Sequence, residues 1–239
     1  MKKLCIAIAL AGALSAPTLQ AAMQVNVYQD TGQYSSGSGG EFEAVPNADL
    51  SWVMANYSPL AKGGPGNGAG FQTFCIETSE QFNPGALYNV ALSDRAKYNG
   101  VPVTGFDVIS VGTAFLYSQF ASGTLSGYNY TYGAGRTAKA AELQNAIWNL
   151  EGEGGSISAA IATILQGEFG ATSTIADWDD DATGWAYGVR AMNLTSASDN
   201  TIQDMLVVVP EPTTMIAGAL LLLPFGASTI RFLRKNRTA

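Results

Sequence analysis

An α+β fold is predicted for residues 23–209: one domain with β-strands at both ends and a central helical segment packed on them. Three observations predict it. Apolar and polar residues alternate near the start of this segment, the period of a half-buried strand, and strand-like stretches return near its end. Between about residues 108 and 166 the apolar residues recur at helical spacing instead. Strands and helices come in separate runs, which favours α+β over an alternating α/β chain. Nearly 190 residues suffice for one core without disulfide staples.

The elements follow in order. Residues 23–29 (MQVNVYQ) alternate and read as the first strand. Residues 34–40 (YSSGSGG) and 62–70 (KGGPGNGAG) read as Gly-rich loops. The second is not a phosphate cradle, because no strand precedes it and no Lys-Ser or Lys-Thr pair follows its glycines. It leads into a strand over 71–77 (FQTFCIE), and another runs from Ala86 to Leu92. A helix over 108–121 places Val111, Phe115 and Leu116 on one face and stops at Gly123. Thr137 is placed to cap a second helix running to about Glu151, with Leu143, Ala146, Ile147 and Leu150 on its apolar face. A third helix covers 157–166 and ends near Gly167. Strands return over Trp185–Leu194 and Met205–Val209.

Both ends carry signals. Residues 1–22 have the layout of a secretory signal: Lys2 and Lys3, an apolar stretch from Leu4 to Leu14, and small residues at Ala21 and Ala22. At the other end stand Pro210-Glu211-Pro212, an apolar run from Met215 to Ile230, and the basic residues Arg231, Arg234, Lys235 and Arg237. That run is short for a membrane span, and the positive cluster would hold its end on the cytoplasmic side. Segment 210–239 resembles the PEP-CTERM sorting signal. The resemblance implies a Gram-negative exporter whose exosortase recognises the signal and removes the tail. The chain would be membrane-anchored transiently by this helix, then released to the cell surface or matrix, where such proteins accompany extracellular polysaccharide.

Charge narrows the partners. The two ends hold six of the twelve basic residues, leaving six against 19 acidic ones, Glu211 included. So acidic a domain is a poor ligand for nucleic acid or anionic lipid, both of which reward positive charge. No histidine is present. That removes Ser-His-Asp and Cys-His catalysis and His-ligated zinc.

Cysteine use is the sharpest feature. Cys5 leaves with the secretion signal, so Cys75 in the string FCIE becomes the sole thiol of an exported chain. An unpaired thiol in an oxidising compartment calls for a reason. Further on, Gln144 opens the string QNAIW after Leu143. A Cys and a Gln that meet in a fold can lose ammonia and close an internal thioester. Phe74-Cys75-Ile76 and Leu143-Gln144-Asn145-Ala146-Ile147-Trp148 resemble the two signatures of bacterial thioester domains, found in surface adhesins. The resemblance covers about residues 70–150. It implies an adhesin-like module that attaches covalently to an amine- or hydroxyl-bearing surface target or exopolysaccharide. Such a module acts once, is no enzyme and has no cofactor.

The chemistry sets its own demands. Near-attack geometry between thiol and carboxamide can contribute roughly 7–11 kcal/mol. A local donor or positive neighbour is expected to lower the thiol pKa. Backbone N–H groups suffice for the oxyanion, and Phe74 and Trp148 are suited to excluding water. Ile147 and Trp148, at i+3 and i+4 from Gln144, share its helical face and would bring the carboxamide to the core edge.

Other readings stand beside this one. Free cysteines are often small buried hydrophobes, which would leave a non-covalent component of an exopolysaccharide or biofilm matrix. A glycosidase needs only two carboxylates, but Glu151 and Glu153 follow an apolar helix and are expected on a solvated end. Asp177, Asp179, Asp180 and Asp181, flanked by Trp178 and Trp185, offer oxygens to calcium or rings to sugars. The run lacks EF-hand spacing, and a solvated acidic turn is the favoured reading.

Overall fold

The computed structural model describes residues 22–37, 39–63, 70–97, 107–183, 186–196 and 201–210. The expected secretion signal up to Ala21, residues 64–69, Trp185, and Glu211, Pro212 and everything after them lie outside the described residues. Among those described, no helix is long and apolar enough to cross a membrane.

The domain is α+β. Its strands are β1 (Gln24–Tyr28), β2 (Phe42–Pro46), β3 (Phe71–Thr73), β4 (Leu87–Ser93), β5 (Arg95–Ala96), β6 (Asp107–Val108), β7 (Val189–Thr195) and β8 (Thr201–Val208). Between β6 and β7 come α1 (Val111–Ala121), α2 (Ala134–Leu150), α3 (Ala159–Phe169) and α4 (Ile175–Trp178). Six strands form one sheet in the order β3-β2-β1-β4-β7-β8, and β5 pairs with β6 apart from it. Every pairing between these strands is antiparallel. Val25 and Val27 on β1 point into the core with the expected period of two.

The sheet closes on itself at a seam. The strand expected over 71–77 stops at Thr73, because the chain then leaves β2 and turns to β8. Cys75 bridges Met205, the Leu206 N–H donates to the Phe74 carbonyl at 3.1 Å, and the Ile76 N–H donates to the Asp204 carbonyl at 3.0 Å. Edges that would otherwise carry unpaired backbone groups are thus paired. The Tyr117 hydroxyl on α1 marks the same seam, 3.0 Å from the carbonyls of Gln72 on β3 and Leu206 on β8.

Several boundaries differ from the expectation, each for a local reason. Strand β2 was not anticipated: it follows the Gly-rich stretch, and its buried Glu43 breaks the apolar alternation. Helix α1 starts at Val111, where the Ser110 hydroxyl accepts from the Thr113 N–H. Helix α2 starts at Ala134 after Gly133, whose φ of +118° suits only glycine. Thr137 is therefore no cap; its hydroxyl donates back to the Gly133 carbonyl at 3.2 Å. Helix α3 starts at Ala159, capped by Ser158, passes through Gly167 and ends at Phe169, with Gly170 as its C-cap. Strand β7 starts at Val189, after the left-handed pair Tyr187-Gly188, and β8 begins at Thr201 rather than Met205.

Candidate functional site

The seam and α2 meet at Cys75 and Gln144. Helix α2 buries Arg136, Ala140, Leu143, Gln144, Ala146, Ile147 and Leu150. Gln144 is therefore a polar residue on an apolar face, and each of its polar atoms needs a partner. Its Oε1 accepts from the N–H of Cys75 at 3.1 Å and from the N–H of Gly40 at 3.0 Å. Its Nε2 donates to the Cys75 carbonyl at 2.8 Å. The carboxamide is held against the backbone of the one cysteine in the domain.

Gly39 and Gly40 make this approach possible, a role not anticipated for the Gly-rich loop over 34–40. A Cβ on Gly40 would stand 2.1 Å from Phe74 Cδ1 and 3.0 Å from Gln144 Oε1. A Cβ on Gly39 would stand 2.7 Å from both Gln144 Cγ and Trp148 Cη2. The adjacent glycines in SGSGG were the available signal, since paired glycines mark places where backbone nears a neighbour.

The two shielding residues occupy different places. Phe74 is fully buried, edge-on to Phe120 at 5.0 Å between centroids. Trp148 is only partly buried and packs over Gly39 at the rim of the core. Beside it a cavity of about 340 Å³ is lined by Cys75, Trp148, Phe42, Phe82, Thr78 and Glu80, among others. One side of the site is thus dry, and the other opens through this cavity.

The electrostatics run against the expectation of a lowered thiol pKa. Burial pushes the Cys75 thiol well above its ordinary value, and the nearby Glu77 adds to the shift. Glu77 itself is pushed up to about 9 by burial first, then by Glu80, Asp204 and Glu153. Asp204 is raised to about 7, again by burial above all. Burial thus favours a neutral thiol, and among the described residues no cation contributes to its shift.

Such a thiol could be acylated without first ionising. Attack of Sγ on the Gln144 amide carbon would form a C–S bond and break the C–N bond, and the thiol proton would leave with the amide nitrogen as ammonia. Negative charge would develop on Oε1, the atom that already accepts two backbone N–H bonds. Donors fixed before the reaction are the arrangement that stabilises such an oxyanion.

Sequence reasoning missed a second feature beside the site. Arg136 and Glu41, 1% and 0% exposed, form a fork-to-fork ion pair with contacts of 2.9 and 2.6 Å. Arg136 sits four residues before Ala140 on the buried stripe of α2, and a lone cation on that stripe was the legible hint.

The remaining candidates are placed elsewhere. Glu151 is buried, not solvated; its carboxylate accepts from the Ser110 N–H and hydroxyl at the start of α1. Glu153 accepts from the Thr78 N–H and hydroxyl. Asp177 closes a capping box with Thr174. Trp178 is a core residue whose Nε1–H donates to Ser173 Oγ, so it offers no face to a sugar. Among the described residues no three Cys, Asp or Glu side chains converge as a metal site would require. No family model, no curated protein and no solved structure matches the chain.

Proposed function

We propose that this protein is an exported surface or matrix component that attaches covalently through a thioester between Cys75 and Gln144. One observation carries the reading: the Gln144 carboxamide oxygen lies between the N–H groups of Cys75 and Gly40, where an acyl-transfer oxyanion would need donors. The cavity at Cys75 supports it, since an incoming nucleophile needs a path to the acyl carbon. An amine or hydroxyl on a surface target or exopolysaccharide would attack that carbon and displace the Cys75 sulfur. The protein would be consumed in the act rather than turn over.

Export and sorting belong to the same proposal. The leader over 1–22 and the Pro210-Glu211-Pro212 motif, apolar run and basic tail favour a Gram-negative cell surface after exosortase processing. Intact-mass spectrometry of the secreted protein tests both parts. The thioester reading expects a deficit of one ammonia in wild type and none in Cys75→Ala or Gln144→Ala. It also expects methylamine to cancel the deficit and expose a titratable thiol. Full mass in folded wild-type protein would overturn it.

A second reading is favoured by the raised thiol pKa and by the three hydrogen bonds that hold the carboxamide to the backbone. Gln144 then acts as a clamp joining three chain segments, and Cys75 is an inert core residue of a non-covalent matrix protein. It expects full mass and a thiol that reacts only on unfolding.

A further inference from the structure

The donor that Gly40 supplies is held by a backbone loop, and a loop keeps a fixed distance only if something fixes it. Glu41, the next residue, is tied to the same helix that carries Gln144. Arg136 donates from Nε to Glu41 Oε1 at 2.9 Å and from Nη2 to Glu41 Oε2 at 2.6 Å. Arg136 also donates from Nη1 to the Tyr130 carbonyl at 2.6 Å and from Nη2 to the Leu60 carbonyl at 3.4 Å. Its guanidinium lies 4.8 Å from the Tyr132 ring centroid and 5.8 Å from that of Tyr130. The Tyr128 hydroxyl donates to the Glu41 carboxylate as well.

We propose that the buried Glu41–Arg136 pair is a positioning device for thioester formation, holding the Gly40 N–H in register with the Gln144 carbonyl. The inference rests on the thioester reading above. Arg136 precedes Gln144 by eight residues, about 12 Å along the helix axis. Both side chains reach from α2 to adjacent residues of one loop, so the loop is pinned to α2 at two points. A planar fork meeting a carboxylate fixes direction as well as distance, which a lysine ammonium cannot do. A replaceable core contact would not need a desolvated ion pair, since apolar side chains of similar size often fill such a space at no loss of stability. Glu41 and Arg136 touch neither reacting atom; they act through Gly40.

The test measures ring closure separately from folding. The full chain is made by cell-free synthesis and quenched at intervals, and the fraction lacking one ammonia is read by intact mass. Arg136→Lys keeps the charge and loses the fork. Tyr128→Phe is the milder variant, removing one hydroxyl from Glu41. Leu165→Ala on α3, a fully buried residue outside the site, is the destabilised control. Closure is expected to slow about 100-fold in Arg136→Lys, the scale of a displaced reacting group or a lost oxyanion donor. Tyr128→Phe should slow in the same direction by less, and Leu165→Ala should close at the wild-type rate despite its lower Tm. Wild-type rates in folded Arg136→Lys or Tyr128→Phe would overturn the inference, as would a rate that follows Tm across all three variants. A wild-type chain that never loses ammonia would instead sink the thioester reading, and this inference with it.

Discussion

Gln144 and Cys75 exchange hydrogen bonds in both directions: the Cys75 N–H donates to Oε1 at 3.1 Å, and Nε2 donates to the Cys75 carbonyl at 2.8 Å. This two-way link fixes the orientation of the carboxamide, because only one assignment of its oxygen and nitrogen satisfies both. Gln144→Glu keeps the acceptor and replaces the donor with a second oxygen facing a carbonyl. The variant is expected to keep full mass and to lose about 1–3 kcal/mol of stability in a urea titration. Unchanged stability would mean that the link carries no weight in the fold.

Gly40 is expected to be the least tolerant position of its loop. In Gly40→Ala the new methyl meets a fully buried Phe74 at 2.1 Å, and Phe74 is boxed in by Phe120 and Tyr117. Overpacking of this kind costs typically about 1–3 kcal/mol. Thermal unfolding should show the loss, and intact mass should show less thioester. Gly32→Ala makes a useful contrast: its added Cβ has open space, but a φ of +90° still makes it strained. Its smaller Tm loss should leave the thioester yield unchanged.

Stability should fall as pH rises from mildly acidic to mildly alkaline. Burial first of all raises Asp204 from 3.8 to about 7, and Glu77 from 4.5 to about 9. Between each ordinary value and each raised one the unfolded chain has already released a proton that the folded chain keeps. The native state binds more protons there, so unfolding free energy decreases with rising pH. The stabilisation is complete below about pH 4 for these two groups and lost by pH 7 for Asp204 and pH 9 for Glu77. Calorimetry at pH 5 and pH 8 checks the sign. Glu77→Gln, a neutral mimic of the protonated acid, should raise Tm at pH 8 and flatten the slope.

The seam offers a separate stability test. The Tyr117 hydroxyl lies 2.9 Å from the Tyr57 hydroxyl, which in turn accepts from the Val208 N–H at 2.9 Å. Tyr117→Phe leaves the ring in place and strips one member from this buried chain. A loss of about 1–3 kcal/mol is expected by urea titration, the range for stranding a buried partner. A neutral substitution would show that the backbone pairs at Cys75 and Met205 close the sheet unaided.

What the sequence by itself determined is local. Periodicity marks helices around Leu143 and Ile147 and a strand through Val25 and Val27, because a segment that buries one face must repeat its apolar residues at its own period. Composition leaves Cys75 as the one cysteine of residues 23–209, and short strings bring it to attention together with Gln144. Only the tertiary structure decided which polar atoms share a dry space. The Gly40 N–H, the Arg136–Glu41 pair and the carboxyl groups around Glu77 come from distant segments, and no one segment names the partners of its own polar groups. Burial then reversed the expected thiol pKa, since the charge on a side chain depends on what surrounds it once the sheet has closed. Pattern is a property of neighbours along the chain; desolvation and hydrogen-bond geometry are properties of neighbours in space.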